Sequence, residues 1–253
     1  MERIADSVYA LTQTIETDEG SRAFRPAAVA TDRGLVLVDA GLPGQADALG
    51  DALDAAGFDW SDVRAILLTH QDGDHAGALA SVVDETGAVV FAHETCARYV
   101  DGREDPIKGE GDRYPPVPVD VELVGGERFR TDAGPMEVVF TPGHAPGHVS
   151  LYFPEERLLV AADALTADED GLQGPSEHFT IDIDGAAESV RRLAGLEVET
   201  VHCYHGGTVA ADSDRIAEIA KLSRARGATP PRTAGAFTLS AVVAVGLLSE
   251  QCR

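Results

Sequence analysis

The chain has 253 residues, 44% apolar and 25% charged, which is enough for one large soluble domain with a substantial core. Its 43 acidic residues stand against 20 lysines and arginines, a net charge of -23, and lysine occurs at Lys108 and Lys221 alone. Such a surface repels nucleic acid and anionic membranes, which excludes both as main partners, and it suits a halophile's high-salt cytoplasm, where screening removes the self-repulsion.

Cys96, Cys203 and Cys252 are odd in number and form no C-x-x-C pair, so a reducing, cytoplasmic interior is expected and a disulfide framework is not. Met1 to Gly20 mixes charges through every turn and has no apolar signal core. Thr233 to Leu248 is apolar but about 16 residues long, short of the roughly 20 that span a bilayer.

In chain order, Ile4 to Leu11 and Ala27 to Thr31 alternate apolar and polar as strands do. Gly34 to Val38 reads as a buried strand ending in Asp39-Ala40-Gly41. Pro43-Gly44 then turns into a helix from about Gln45 to Ala56, closed by Gly57. Ala65 to Leu68 is a second buried strand, followed by Thr69-His70-Gln71-Asp72-Gly73-Asp74-His75-Ala76-Gly77 and a helix-like segment from Ala76 to Val83. A strand at Ala88 to Ala92 and a helix at Glu94 to Val100 come next. Asp101 to Pro118, rich in charge, Gly and Pro, reads as a surface loop.

The second half repeats this grammar. Strands are expected at Val119 to Val124, Met136 to Thr141, Val149 to Phe153 and Arg157 to Ala162, the last two joined by a hairpin turn at Pro154-Glu155-Glu156. Asp168 to Ser176 is a second acidic loop, and Gly185 to Ala194 a helix. A strand at Thr200 to Tyr204 runs into His205-Gly206-Gly207, and a helix follows from about Asp212 to Arg226. Strand clusters separated by helices, in two similar halves, predict an α/β (α+β) chain folded as an αββα sandwich. The domain is expected to cover residues 1–228, with 229–253 a C-terminal tail or short docked helix.

His70 to His75 holds two imidazoles and two carboxylates in six residues, in the turn leaving the carboxyl end of a strand, where α/β folds put chemistry. A plain polar loop with two helix-capping aspartates is the alternative. Four such groups without partners at a buried strand end cost several kcal/mol, and a metal supplies the missing partner. Three further turns put a candidate ligand after an apolar strand: Thr141-Pro142-Gly143-His144, Asp163 after Leu159 to Ala162, and His205.

With Asp39-Ala40-Gly41, these five motifs resemble, in order from Gly34 to Gly207, the metallo-β-lactamase superfamily of glyoxalase II-like thioesterases, lactonases and lactamases. The resemblance implies the four-layer metallo-β-lactamase fold. It also implies two divalent ions, zinc first, one held by His70, Asp72 and His144 and the other by Asp74, His75 and His205, with Asp163 between them. One position departs from the family's H-x-H-x-D-H pattern: Asp72 stands where the second His is usual. A carboxylate there is a harder donor and makes manganese or iron possible.

The activity implied is hydrolysis of an ester, thioester, lactone or amide bond in a small molecule, by a bridging hydroxide formed near neutral pH, with Asp74 orienting it and passing its proton on. No G-x-S-x-G is present, so no covalent acyl-enzyme is expected. Asp39 and His148 are expected to support the ligands from behind. His93 and His202 read as structural histidines, Cys203 as packing, and His178 with Phe179 as a loop pair near substrate. Two other readings stay open: iron-dependent redox chemistry on the same fold, and a non-catalytic binding or sensor protein. Substrate and oligomeric state are not legible in the sequence.

Overall fold

Val149–Phe153 and Leu158–Ala162 are buried at every position because both of their faces are covered. The structure, a computed structural model, describes residues 2–17, 20–108 and 113–227. Its first sheet is built from β1 (Glu2–Ala5), β2 (Val8–Ala10), β5 (Ala27–Thr31), β6 (Gly34–Val38), β7 (Val63–Leu68), β8 (Val89–His93) and β9 (Val121–Leu123), in that spatial order. Neighbours are antiparallel as far as β6 and parallel from β6 to β9. Parallel neighbours need a crossover. It is supplied by α1 (Ala46–Ala55), by α2 (Gly73–Ala76) with α3 (Leu79–Thr86), and by α4 (Glu94–Val100). A separate hairpin, β3 (Gln13–Thr17) with β4 (Gly20–Phe24), stands beside this sheet.

The second sheet runs β10 (Arg128–Thr131), β11 (Gly134–Phe140), β12 (Val149–Phe153), β13 (Leu158–Ala162), β16 (Thr200–Cys203) and β17 (Gly207–Ala210). The parallel step from β13 to β16 is bridged by the short hairpin β14 (Thr166–Asp168) and β15 (Gly171–Gln173) and by α5 (Ile183–Leu193); α6 (Ser213–Gly227) follows β17.

Period-2 alternation sorts the strand residues into three apolar layers. Leu35, Leu37, Ile66 and Leu68 face Leu49 and Leu53 of α1 and Leu79 and Val82 of α3. Val38 and Leu67 face the other way and meet Leu151, Phe153, Leu158 and Val160 between the sheets. Leu159, Ala161 and Val201 meet Val190 and Leu193 of α5 and Ile216 and Ile219 of α6. Helix, sheet, sheet, helix is the order of the layers, as expected. Phe153, the largest fully buried side chain, sits in the middle layer. Truncating it to Ala costs on the order of 3–5 kcal/mol.

The expected helix from Ala76 to Val83 is two pieces, α2 and α3, parted at Gly77-Ala78. A Cβ at Gly77 would lie 2.2 Å from the Gly73 carbonyl oxygen and 2.3 Å from Pro43, so the turn is pressed against the loop after β6. The segment from Asp101 to Pro118 is not wholly surface: Val117 packs into the first layer, and Lys108 reaches the strand ends. Cys96 and Cys203 are buried free thiols, and Cys203 packs on the α5–α6 side of β16. The expected tail, residues 229–253 with its apolar stretch 233–248, lies outside the described residues, as does Cys252. No described helix is long and apolar enough to cross a membrane.

Candidate metal centre

The site is assembled from turns at one end of both sheets. His70 follows β7, His75 lies in α2, His144 follows β11, Asp163 follows β13, and His205 fills the turn from β16 to β17. Two of these turns depend on glycine. At Gly143 (φ 138°) a Cβ would lie 2.2 Å from the backbone nitrogen of Ala186, and at Gly206 (φ 104°) 1.9 Å from the Ala167 carbonyl oxygen. Chain elements press so closely on both positions that a side chain would move the neighbouring histidine.

The ligand-type atoms form two sets, His70 with His144 and Asp163, and Asp74 with His75 and His205, each within 4.8 Å of one another. The Asp163 carboxylate stands between the sets. Its Oδ1 lies 3.4 Å from His75 Nε2, and its Oδ2 lies 3.3 Å from His144 Nε2 and 3.4 Å from His205 Nε2. Asp74 Oδ2 is 3.2 Å from His205 Nε2. Asp72 is close to the first set, its Oδ2 3.0 Å from His144 Nε2 and 3.4 Å from His70 Nε2. It caps no helix N–H with its side chain, which removes that alternative role.

Hydrogen bonds behind the ring fix which nitrogen faces inward. Asp39, in a left-handed conformation (φ 66°), accepts from the Thr69 backbone N–H at 2.7 Å, from the Thr69 hydroxyl at 2.8 Å and from His75 Nδ1 at 2.8 Å. With its hydroxyl proton given to Asp39, Thr69 accepts from His70 Nδ1 at 3.1 Å. Both imidazoles therefore turn a lone pair on Nε2 toward the centre. Among the described residues, these two Nε2 atoms and Asp163 Oδ1 are buried without a hydrogen-bond partner. Burying such acceptors unsatisfied costs about 1–3 kcal/mol each, and divalent cations at the two sets would satisfy all three, so the residues fit metal.

His148 is not aimed at the centre. Its Nε2 accepts the Asp163 backbone N–H at 3.1 Å, and its Nδ1 donates to the Thr141 hydroxyl at 2.9 Å. The chain continues through Ser150 to the Ala161 carbonyl at 3.1 Å, stitching β11, β12 and β13 together at the site. His93 caps α4 by accepting from the Thr95 N–H at 3.1 Å and stacks on Phe140. His202 donates to the Arg25 carbonyl and accepts from Thr208. Both are structural. His178 packs against Phe179, and it is Phe179 that faces the cleft.

Charge accumulates at the centre. Burial pushes the Asp163 carboxyl up, but the His75 and His205 imidazoles beside it outweigh burial and hold the group well below the usual carboxylate range. Asp72 is likewise low, burial being outweighed by His70, His144 and Lys108. Burial lowers the basicity of His205, yet hydrogen bonds to Asp163 and Asp74 prevail and raise it to about 9. A ring of ionised carboxylates drawing up histidine basicity is an environment that attracts cations.

Sequence reading missed several partners. Lys108 Nζ lies 2.5 Å from Asp72 Oδ2 and 3.0 Å from His144 Nε2. The Tyr204 ring stacks on His75 at 3.7 Å, and its hydroxyl donates to the Asp74 carbonyl at 2.5 Å. The Tyr114 hydroxyl donates to the Gln71 carbonyl at 2.8 Å. Phe24, from the unforeseen β3–β4 hairpin, packs edge-on to His205. The rarity of lysine in this chain was the available signal for Lys108; Phe24 offered none. The centre opens into a cleft of about 1130 Å³ whose walls include Phe24, Tyr99, Ile107, Tyr114 and Phe179.

Comparison with known proteins agrees with this geometry. The model of the metallo-beta-lactamase superfamily matches residues 27–205. A probable metallo-hydrolase, YflN, of Bacillus subtilis (strain 168) is 30% identical over 205 residues, 68% of this chain and 75% of that protein. A hydroxyacylglutathione hydrolase of Rhizobium meliloti (strain 1021) is 30% identical over 199 residues, 73% of this chain and 68% of that one. Among solved structures, a metallo-beta-lactamase family protein from Thermus thermophilus superposes with a TM-score of 0.68 at 26% identity, covering 88% of this chain and 81% of that one.

Proposed function

The chain belongs to the metallo-beta-lactamase superfamily and is an enzyme of its hydrolase type, and from that premise we propose that it cleaves an ester, thioester or lactone bond in a small molecule with the help of bound divalent metal, zinc first. The observation that carries this reading is the group of buried, unpartnered acceptors on His70, His75 and Asp163, which Asp74, His144 and His205 surround. Two imidazoles and two carboxylate groups around one position, His75, His205, Asp74 and Asp163, make a donor set suited to zinc. The second set, His70 and His144 with Asp72 and the other side of Asp163, offers a second position. Bound divalent ions supply Lewis acidity and bring the pKa of a water toward 7.

The chain's own residues do the rest. Asp74, on the cleft wall and 3.2 Å from His205, orients the attacking water and carries its proton to the leaving atom. Asp39 and His148 hold the ligands in register. The aromatic and aliphatic walls of the cleft suit an acyl chain and keep bulk water from it. Relatives named hydroxyacylglutathione hydrolase support placing thioesters first in any assay.

Elemental analysis of the purified full chain, followed by an ester, thioester, lactone and amide panel with and without chelator, tests this. Zinc on the protein and hydrolysis that disappears with it are expected, and Asp163→Ala should lose both. A chain carrying no divalent metal, or hydrolysis indifferent to its removal, overturns the reading.

A further inference from the structure

Lys108 stands where a metal ion would be expected. Its ammonium is 2.5 Å from Asp72 Oδ2 and 3.0 Å from His144 Nε2, two of the atoms that make up the first metal position. An ammonium bonded to both takes the one lone pair of His144 Nε2 and sits at the Asp72 oxygen an ion there would need, so the two cations exclude each other. The side chain is not adrift, being 24% exposed. Its loop is tied down on the far side by the Tyr114 hydroxyl on the Gln71 carbonyl, next to Asp72, and by buried Val117. Arg113 closes the loop on itself through Asp105 and the Glu104 carbonyl.

Charge supports the placement. The metal-facing carboxylates in the cleft are Asp72, Asp74 and Asp163; one divalent ion and one ammonium balance these three negative charges. A chain with 43 acidic residues and two lysines has set one of those lysines against the carboxylate that replaces the usual histidine.

We propose that Lys108 is the competing cation of the first metal position: the protein holds one divalent ion tightly at Asp74, His75, His205 and Asp163, while the Lys108 ammonium fills the other position until excess metal displaces it. Nζ carries three hydrogens, two of them used on Asp72 and His144. The third is left for the carbonyl oxygen of a substrate in the cleft, which makes Lys108 a catalytic residue of the one-metal form. This inference rests on the metal-dependent reading above.

The test is a zinc titration of the chelator-stripped full chain, read by calorimetry and by metal retained after desalting. The unaltered protein should retain one equivalent and bind a second at least 100-fold more weakly, whereas Lys108→Met should bring the second within about tenfold of the first. Two equivalents of equal affinity in the unaltered protein, or no change in Lys108→Met, overturn the inference. Retention of no metal at all would instead overturn the metal-dependent reading. A measurement on the unaltered chain guards against a variant that does not fold, since amine acetylation mapped by mass spectrometry has Lys221, which is exposed, as its internal reference. At one equivalent of zinc Lys108 should react at least tenfold more slowly than Lys221 and at excess zinc approach its rate. Equal rates at one equivalent overturn the proposal.

Discussion

His148 accepts the backbone N–H of Asp163 at 3.1 Å, so a histidine within reach of the metal centre acts on it by holding a carboxylate in place. His148→Ala removes that acceptor and leaves the N–H buried. Weakening of zinc binding by 10–100-fold is expected, as for other residues that orient a metal ligand. The unpaired donor should also cost about 1–3 kcal/mol of stability. Competition against a chromophoric chelator measures the first effect, and an unchanged dissociation constant would mean that Asp163 keeps its place unaided.

Asp39 offers a test of tautomer control. Asn tolerates the left-handed conformation found there, φ 66°, so Asp39→Asn should fold. Its amide can still accept from Thr69, but an NH₂ then faces His75 Nδ1, where a carboxylate oxygen sits at 2.8 Å. The ring must move its proton to Nε2, the nitrogen aimed at the metal. Native circular dichroism with sharply reduced zinc per chain is expected. Full occupancy would show that His75 does not depend on Asp39 for its protonation state.

His202 gives the fold an acid-labile component away from the proposed metal ligands. Burial holds its pKa at about 4, outweighing the hydrogen bond to the Arg25 carbonyl that favours the charged form. In the unfolded chain the value is about 6.5, so the unfolded state takes up a proton first as pH falls. The neutral residue's contribution is therefore complete above about pH 6.5 and is lost between there and about pH 4, to a total of roughly 3 kcal/mol. Urea midpoints at pH 7.5 and 4.5 should differ less in His202→Gln than in the unaltered protein; equal differences would discount this residue.

The net charge of -23 sets a salt dependence. Screening shortens from about 10 Å at 0.1 M to about 3 Å at 1 M, which relieves repulsion among exposed carboxylates in the folded state. The melting temperature is expected to rise with potassium chloride over that range. A flat response would show that the acidic surface is tolerated without screening.

Central strands were the most legible part of this fold. Gly34 to Val38 and Leu158 to Ala162 announce themselves because each is covered on both faces, and β12 and α4 fall where their patterns put them. The β3–β4 hairpin did not announce itself, since its sequences, Gln13 to Thr17 and Gly20 to Phe24, carry few apolar residues and lie outside the two sheets. A helix was expected to continue through Gly77 but parts there, at a position packed so close to Pro43 that only glycine fits, which local periodicity does not show. The same limit hid Lys108. Its loop composition reads as surface, and its 36-residue reach back to Asp72 is a property of the folded chain.

The turns that carry the proposed ligands come from both sheets: His70, Asp74 and His75 follow a strand of the first, whereas His144, Asp163 and His205 follow strands of the second. The layer between those sheets is mostly apolar contact, which has little directional preference, and near the site the Val149 N–H on the Thr69 carbonyl adds a directional tie. A divalent ion held by these proposed ligands would be gripped from both sides and act as a rivet through that layer. At free metal a thousandfold above its dissociation constant the rivet adds about 4 kcal/mol to the folded state. Chelation would then loosen the molecule along this seam first, beginning at the end where the turns meet, so that the enzyme's working part is also its fastener.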